Sequence, residues 1–123
     1  MSNCTDTGFV GQYDISLLPL GADVTIPISY KPGGVAADLS AYTAKLQVRR
    51  TYSSPVLVEL TSDDGSIVVS ASEPNIILYF YKEKTQDLLI TEGMIYDLEI
   101  TDGANLVTRV LQGSFSVSKQ VTV

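Results

Sequence analysis

The sequence predicts an all-β fold, an antiparallel sandwich of about seven or eight short strands. Three observations predict it. Apolar and polar residues alternate with a period of two over short stretches. Turn-forming residues separate those stretches roughly every 8–12 residues. The chain has 123 residues, which suits one domain whose core holds without disulfides or metals.

Each element follows from local chemistry. Residues 1–12 are small, polar and glycine-containing, which reads as a flexible arm. An apolar run over 15–20 follows it. The expected division is an N-terminal arm and docking segment over 1–20 and a β-sandwich domain over 21–123. Val24, Ile26, Ile28 and Tyr30 share one parity, the mark of a half-buried strand. Pro27 falls on the other parity and points to a sheet edge or a bulge, because it has no N–H to give a neighbouring strand. Lys31-Pro32-Gly33-Gly34 ends the strand. Ala44, Leu46 and Val48 alternate with Lys45, Gln47 and Arg49 in a second strand. Residues 55–61 read as a third, with Val56, Val58 and Leu60 inward. Asp63-Asp64-Gly65 is a tight-turn signal and predicts a hairpin into a strand over 66–70.

Residues 75–81 are apolar on both faces, with Ile76, Leu78 and Phe80 on one and Ile77, Tyr79 and Tyr81 on the other. Residues 82–90 lack β-branched density and read as a helical turn. Met94, Tyr96, Leu98 and Ile100 alternate with Asp97, Glu99 and Thr101. Asp102-Gly103 predicts a second hairpin, into a strand over 106–111 that Phe115 and Val117 continue after Gly113. Two packed sheets at this length fit an immunoglobulin-like arrangement.

Composition narrows the chemistry. The chain carries 8 basic and 14 acidic residues, a net charge of -6, and no histidine. The commonest general base and metal ligand is therefore missing. A single cysteine, Cys4, allows no internal disulfide and no cysteine-based zinc site. The acidic balance argues against nucleic acid, whose phosphates need a basic patch. No apolar run approaches the ~20 residues of a membrane span, and the N-terminus does not read as a secretory signal.

The motifs that could carry chemistry have plainer readings. Ser116-Val117-Ser118-Lys119 matches a Ser-x-x-Lys pattern, but its β-alternation puts Ser116 and Lys119 on opposite faces. Asp63 and Asp64 supply too few oxygens for calcium, and Asp97 and Glu99 read as the solvent face of a strand. No aromatic sugar platform is evident, and tryptophan is absent. Asn3-Cys4-Thr5 fits the glycosylation pattern, which is common by chance. Arg49-Arg50 is too short for a nucleic-acid patch and is expected to make a cross-strand pair with Asp97 or Glu99. No catalytic residue, metal ligand or cofactor is expected, and the chain reads as a binding protein and not an enzyme.

Two features resist a solitary domain. The strand over 75–81 would show an apolar outer face, and the N-terminal segment is apolar beside an arm. The expected protein interface is Phe9, Tyr13, Ile15, Leu17 and Leu18 together with Ile77, Tyr79 and Tyr81.

Several segments carry a resemblance. Gly21-Ala22-Asp23 precedes the first core strand, and Asp38-Leu39-Ser40-Ala41-Tyr42-Thr43-Ala44 leads to Gln47-Val48-Arg49. Asp64-Gly65-Ser66-Ile67 follows the strand from Val56 to Thr61, and Gly93-Met94-Ile95-Tyr96-Asp97-Leu98-Glu99 opens the later one. Thr108-Arg109-Val110-Leu111-Gln112-Gly113 and the closing Val117-Ser118 and Val121-Thr122 complete the series. In this order they resemble the small β-sandwich virion proteins of tailed bacteriophages, including the amino-terminal domains of upper baseplate proteins that anchor receptor-binding proteins. Ala41 stands where that family often has glycine.

The resemblance implies a structural or adaptor role in a virion. The implied partners are other copies of the chain and other virion proteins in a symmetric homo-oligomer, in the tail, baseplate or head–tail region, without nucleic acid or membrane. A capsid decoration protein and a carbohydrate- or cell-surface-binding module are the competing expectations. Within the matched segments, Leu39 is expected to plug the core, and Tyr42 and Tyr96 to be core aromatics with hydroxyls at the rim. Gly93 and Gly113 are expected to take special backbone angles.

Overall fold

The computed structural model describes residues 11–119. Its strands are β1 Gly11–Gln12, β2 Ile15–Pro19, β3 Val24–Ile28, β4 Thr43–Arg49, β5 Val58–Thr61, β6 Ile67–Val69, β7 Ile76–Phe80, β8 Met94–Thr101 and β9 Val107–Ser118. One helical turn, α1 Lys82–Thr85, lies between β7 and β8. The larger sheet has the order β1-β9-β8-β4-β5, with β2 also on β9, and the smaller has the order β3-β7-β6. In immunoglobulin terms β9, β8, β4 and β5 occupy the G, F, C and C′ places, and β3, β7 and β6 the B, E and D places. The fold is an all-β, immunoglobulin-like sandwich.

Alternation builds the core. β8 is buried at every second residue, Met94, Tyr96, Leu98 and Ile100. β4 does the same with Ala44, Leu46 and Val48. Phe80 of the small sheet meets Phe115 of the large one with ring centroids 5.7 Å apart, so the two layers are joined by an aromatic contact. One β-bulge breaks the alternation. Leu98 faces Leu111 but Glu99 faces Arg109, so the register shifts by one residue and the adjacent Val110 and Leu111 are both buried.

The turns between strands differ from expectation at one place. Asp102-Gly103 does close a hairpin, since β8 and β9 pair, and Asp102 Oδ1 accepts the N–H groups of Ala104 and Leu106. Asp63-Asp64-Gly65 does not. β5 pairs with β4 and β6 pairs with β7, so this turn carries the chain from one sheet to the other. The buried Ser66 hydroxyl accepts the Thr61 N–H at 2.9 Å and donates to Asp64 Oδ1, closing the corner. The strand expected over 55–61 begins only at Val58, because residues 50–57 form the loop from β4, and Val56 is exposed.

Asn75 was not anticipated. It is fully buried, accepts the Tyr30 N–H at 2.7 Å and donates to the carbonyls of Tyr30 and Ala37. A buried side chain with three such bonds pins the loop after β3 against the small sheet. Leu39 is buried as expected, under an Asp38 side chain that accepts both the N–H and the hydroxyl of Ser40. Those two bonds hold the Asp38 carboxyl below its ordinary value.

The described part of the N-terminal segment belongs to the sandwich. β1 and β2 run parallel to β9, with Gly11 opposite Leu111 and Ile15 opposite Phe115. The Tyr13 N–H donates to the Gln112 carbonyl, and the Tyr96 hydroxyl donates to the Tyr13 carbonyl. This crossing explains Gly113. A Cβ there would stand 2.3 Å from the Tyr13 carbonyl oxygen, so the glycine is required by close approach and not by a special backbone angle. Gly93 does take the left-handed region expected of it, with φ 79. The boundary expected at residue 20 therefore falls inside the folded domain.

Candidate functional site

The small sheet has two faces of the same chemistry. Its pairs Val24↔Phe80, Ile26↔Leu78 and Ile28↔Ile76 point inward. The alternate pairs, Thr25↔Tyr79 and Pro27↔Ile77, point outward, and Val68 of β6 stands beside Ile77. β3 is an edge strand, as Pro27 suggested. Tyr81 continues the outer row, its ring stacked on that of Tyr79 at 5.7 Å and 8°. Val68 and Tyr81 are exposed, while Ile77 and Tyr79 are half-buried by their neighbours. The result is a largely apolar outer face on one side of the domain, with Thr25 as its polar member.

The eight residues expected at an interface separate into groups. Ile77, Tyr79 and Tyr81 come together on this face. Ile15 and Leu18 do not join them: both are buried in the core where β2 packs on β9, so neither is available for contact. Tyr13 is half-buried against the core, beside the β3 edge. Leu17 is 67% exposed, and its N–H donates to the Ser116 hydroxyl. Ser116 is thereby engaged by the backbone of β2. Phe9, the sequence Asn3-Cys4-Thr5 and Val121-Thr122 lie outside the described residues. Pro27 and Val68 were missed as members of the face. Both carry the signal of an apolar residue on an outward parity, but which strands flank β7 is not a local property.

The outer face of the large sheet is the opposite in character. Gln47 donates to Glu59 at 2.7 Å, and Arg49 donates to Gln47 at 3.0 Å and to the Ser54 carbonyl at 2.6 Å. The expected Arg49 pairing is replaced by this set, and Asp97 instead faces Arg109, Nε to Oδ2 3.6 Å. The bulge in β9 is what brings Arg109 beside β8. Between these side chains and the β4–β5 loop runs a cleft of about 330 Å³, lined by Gln47, Arg49, Tyr52, Ile95, Asp97, Glu99 and Arg109. Tyr52 is 80% exposed at its mouth.

Among the described residues the strongest electrostatic shift lies at the sheet-switching corner. Partial burial raises the Asp64 carboxyl, but the Lys84 ammonium at 2.7 Å and the N–H and hydroxyl of Ser66 outweigh it and hold the group far below the ordinary carboxylate range. That is a structural clamp between the corner and α1. Among the described residues no three acidic or cysteine side chains converge on a point that could hold a metal ion.

No family model matches the chain. No curated protein matches it either. Among solved structures, the extracellular domains 3–5 of Drosophila OTK are similar at 18% identity and a TM-score of 0.38, over 95% of this chain and 35% of that one. The chain thus spans about a third of the length of that structure.

Proposed function

We propose that this chain is a non-catalytic structural or adaptor domain of a tailed-phage virion, binding other copies of itself and other virion proteins in the tail, baseplate or head–tail region. The observation that carries the binding reading is the apolar outer face of β3, β7 and β6. An antiparallel sheet that faces water normally carries polar residues there. A contiguous apolar surface of Pro27, Val68, Ile77, Tyr79 and Tyr81 gains stability only when another surface removes it from water. The virion assignment is supported by the ordered motifs from Gly21 to Thr122.

The test is the oligomeric state of the whole chain by native mass spectrometry and sedimentation. At about 100 μM, a concentration that populates associations near −5.5 kcal/mol, higher species are expected. Tyr79→Asp should weaken association by about tenfold or more and leave the melting temperature within about 3 °C. A wild-type protein that stays monomeric would overturn the self-assembly reading. Immunogold labelling of intact particles confined to the capsid shell would favour a decoration protein instead.

A further inference from the structure

We propose that the cleft on the outer face of the large sheet binds a neutral oligosaccharide. The cleft is lined by two guanidiniums, Arg49 and Arg109, and two carboxylates, Asp97 and Glu99, so its charges balance although the chain as a whole carries -6. A polyanion entering would meet both carboxylates, and a cation both guanidiniums. An apolar ligand would strip water from six polar side chains and give nothing back. A ligand that donates and accepts at closely spaced points suffers none of these costs.

The lattice has that spacing. Gln47 lies opposite Asp97, Asp97 opposite Gln112, and Glu99 opposite Arg109. Neighbouring strands are about 4.8 Å apart, so donors and acceptors recur across the face on the scale of the hydroxyls around a sugar ring. Part of the lattice is loosely held. Arg109 reaches Asp97 at 3.6 Å and Gln112 at 3.5 Å, long contacts that a hydroxyl could replace or bridge.

The apolar contribution is pre-positioned. Tyr52 stands over the cleft on a loop whose turn is closed twice: the Thr51 N–H donates to the Ser54 hydroxyl at 2.7 Å, and the Ser54 N–H donates to the Thr51 carbonyl at 3.2 Å. Arg49 grips the Ser54 carbonyl from below. A tyrosine carried on an ordered turn has few torsions left to fix, and Ile95 lines the same cleft. Tyr52 and Ile95 also line a second hollow of about 200 Å³ with Gln12, Asp14, Gln112 and Ser114. The continuation favours a linear chain of rings over a single sugar; its added carboxylate, Asp14, already accepts the Ser114 N–H at 3.0 Å and tilts the extended site further against an anionic chain.

The experiment is isothermal titration of the full chain with neutral trisaccharides of glucose, galactose and N-acetylglucosamine, against anionic trigalacturonate. At least one neutral sugar should bind with a Kd below about 1 mM. Tyr52→Ala should weaken it about tenfold, and Glu99→Gln several-fold, with association and melting temperature unchanged. Tyr79→Asp should leave sugar binding intact, so this inference and the assembly reading fail separately. Absence of binding, preference for trigalacturonate, or full binding by Tyr52→Ala would each overturn it.

Discussion

The two outer faces of this sandwich carry opposite chemistry. On the large sheet, β8 turns Asp97 and Glu99 outward; on the small sheet, the central strand β7 turns out Ile77 and Tyr79. The polar face can be satisfied largely within one chain, because neighbouring strands offer partners: Gln47 for Glu59, and Arg109 for Asp97. The apolar face has no such internal remedy. Its free energy falls only when a second surface covers it. The comparison separates what a domain settles alone from what it leaves for a partner.

The largest difference is expected within β7 itself. Leu78→Ala, on the inner face, should cost about 3 kcal/mol through lost burial and a residual cavity, whereas Ile77→Ala, one residue away, should cost about 1 kcal/mol or less. Urea unfolding at a concentration where the protein is monomeric measures both. Equal losses would mean that the outer face is covered within the chain.

A smaller effect tests the corner that joins the two sheets. The Asp64 carboxyl is held below its ordinary 3.8, so its contribution is complete above about pH 4 and is lost as pH falls below that value. The side chain is 43% exposed, and solvent screening limits the contribution to about 1 kcal/mol or less. Asp64→Asn should therefore melt lower than wild type at pH 7, and the gap should narrow between about pH 4 and pH 2. A constant gap would mean that the ion pair with Lys84 contributes nothing. Smallest is Gln47→Ala on the large sheet's outer face, expected to change stability by about 0.5 kcal/mol or less with association untouched. A loss of assembly there would reverse the assignment of the two faces.

Much of this was legible beforehand. The alternation over 94–101 and 44–49 gave β8 and β4 almost residue for residue, since a strand with one wet face writes its orientation into its sequence. The two apolar faces of β7 were legible for the opposite reason, since residues 76–81 show no polar alternation at all. Ile15 and Leu18 were not, because an apolar run beside a polar arm looks the same whether it docks on a partner or on its own last strand. Nor was the role of Gly113, whose constraint comes from Tyr13, one hundred residues earlier in the chain. Tyr52 had no periodicity to mark it, since it sits in a loop.

What the amino-acid order determined on its own was which residues of β3, β4 and β8 meet the core and where the chain turns. Only the tertiary structure decided which sheet each strand joins. Asp63-Asp64-Gly65 and Asp102-Gly103 carry the same Asp-Gly signal in the sequence, yet one changes sheets and the other closes a hairpin. Alternation records burial, a property of each residue, whereas backbone pairing is a choice among all the edges a folded chain presents.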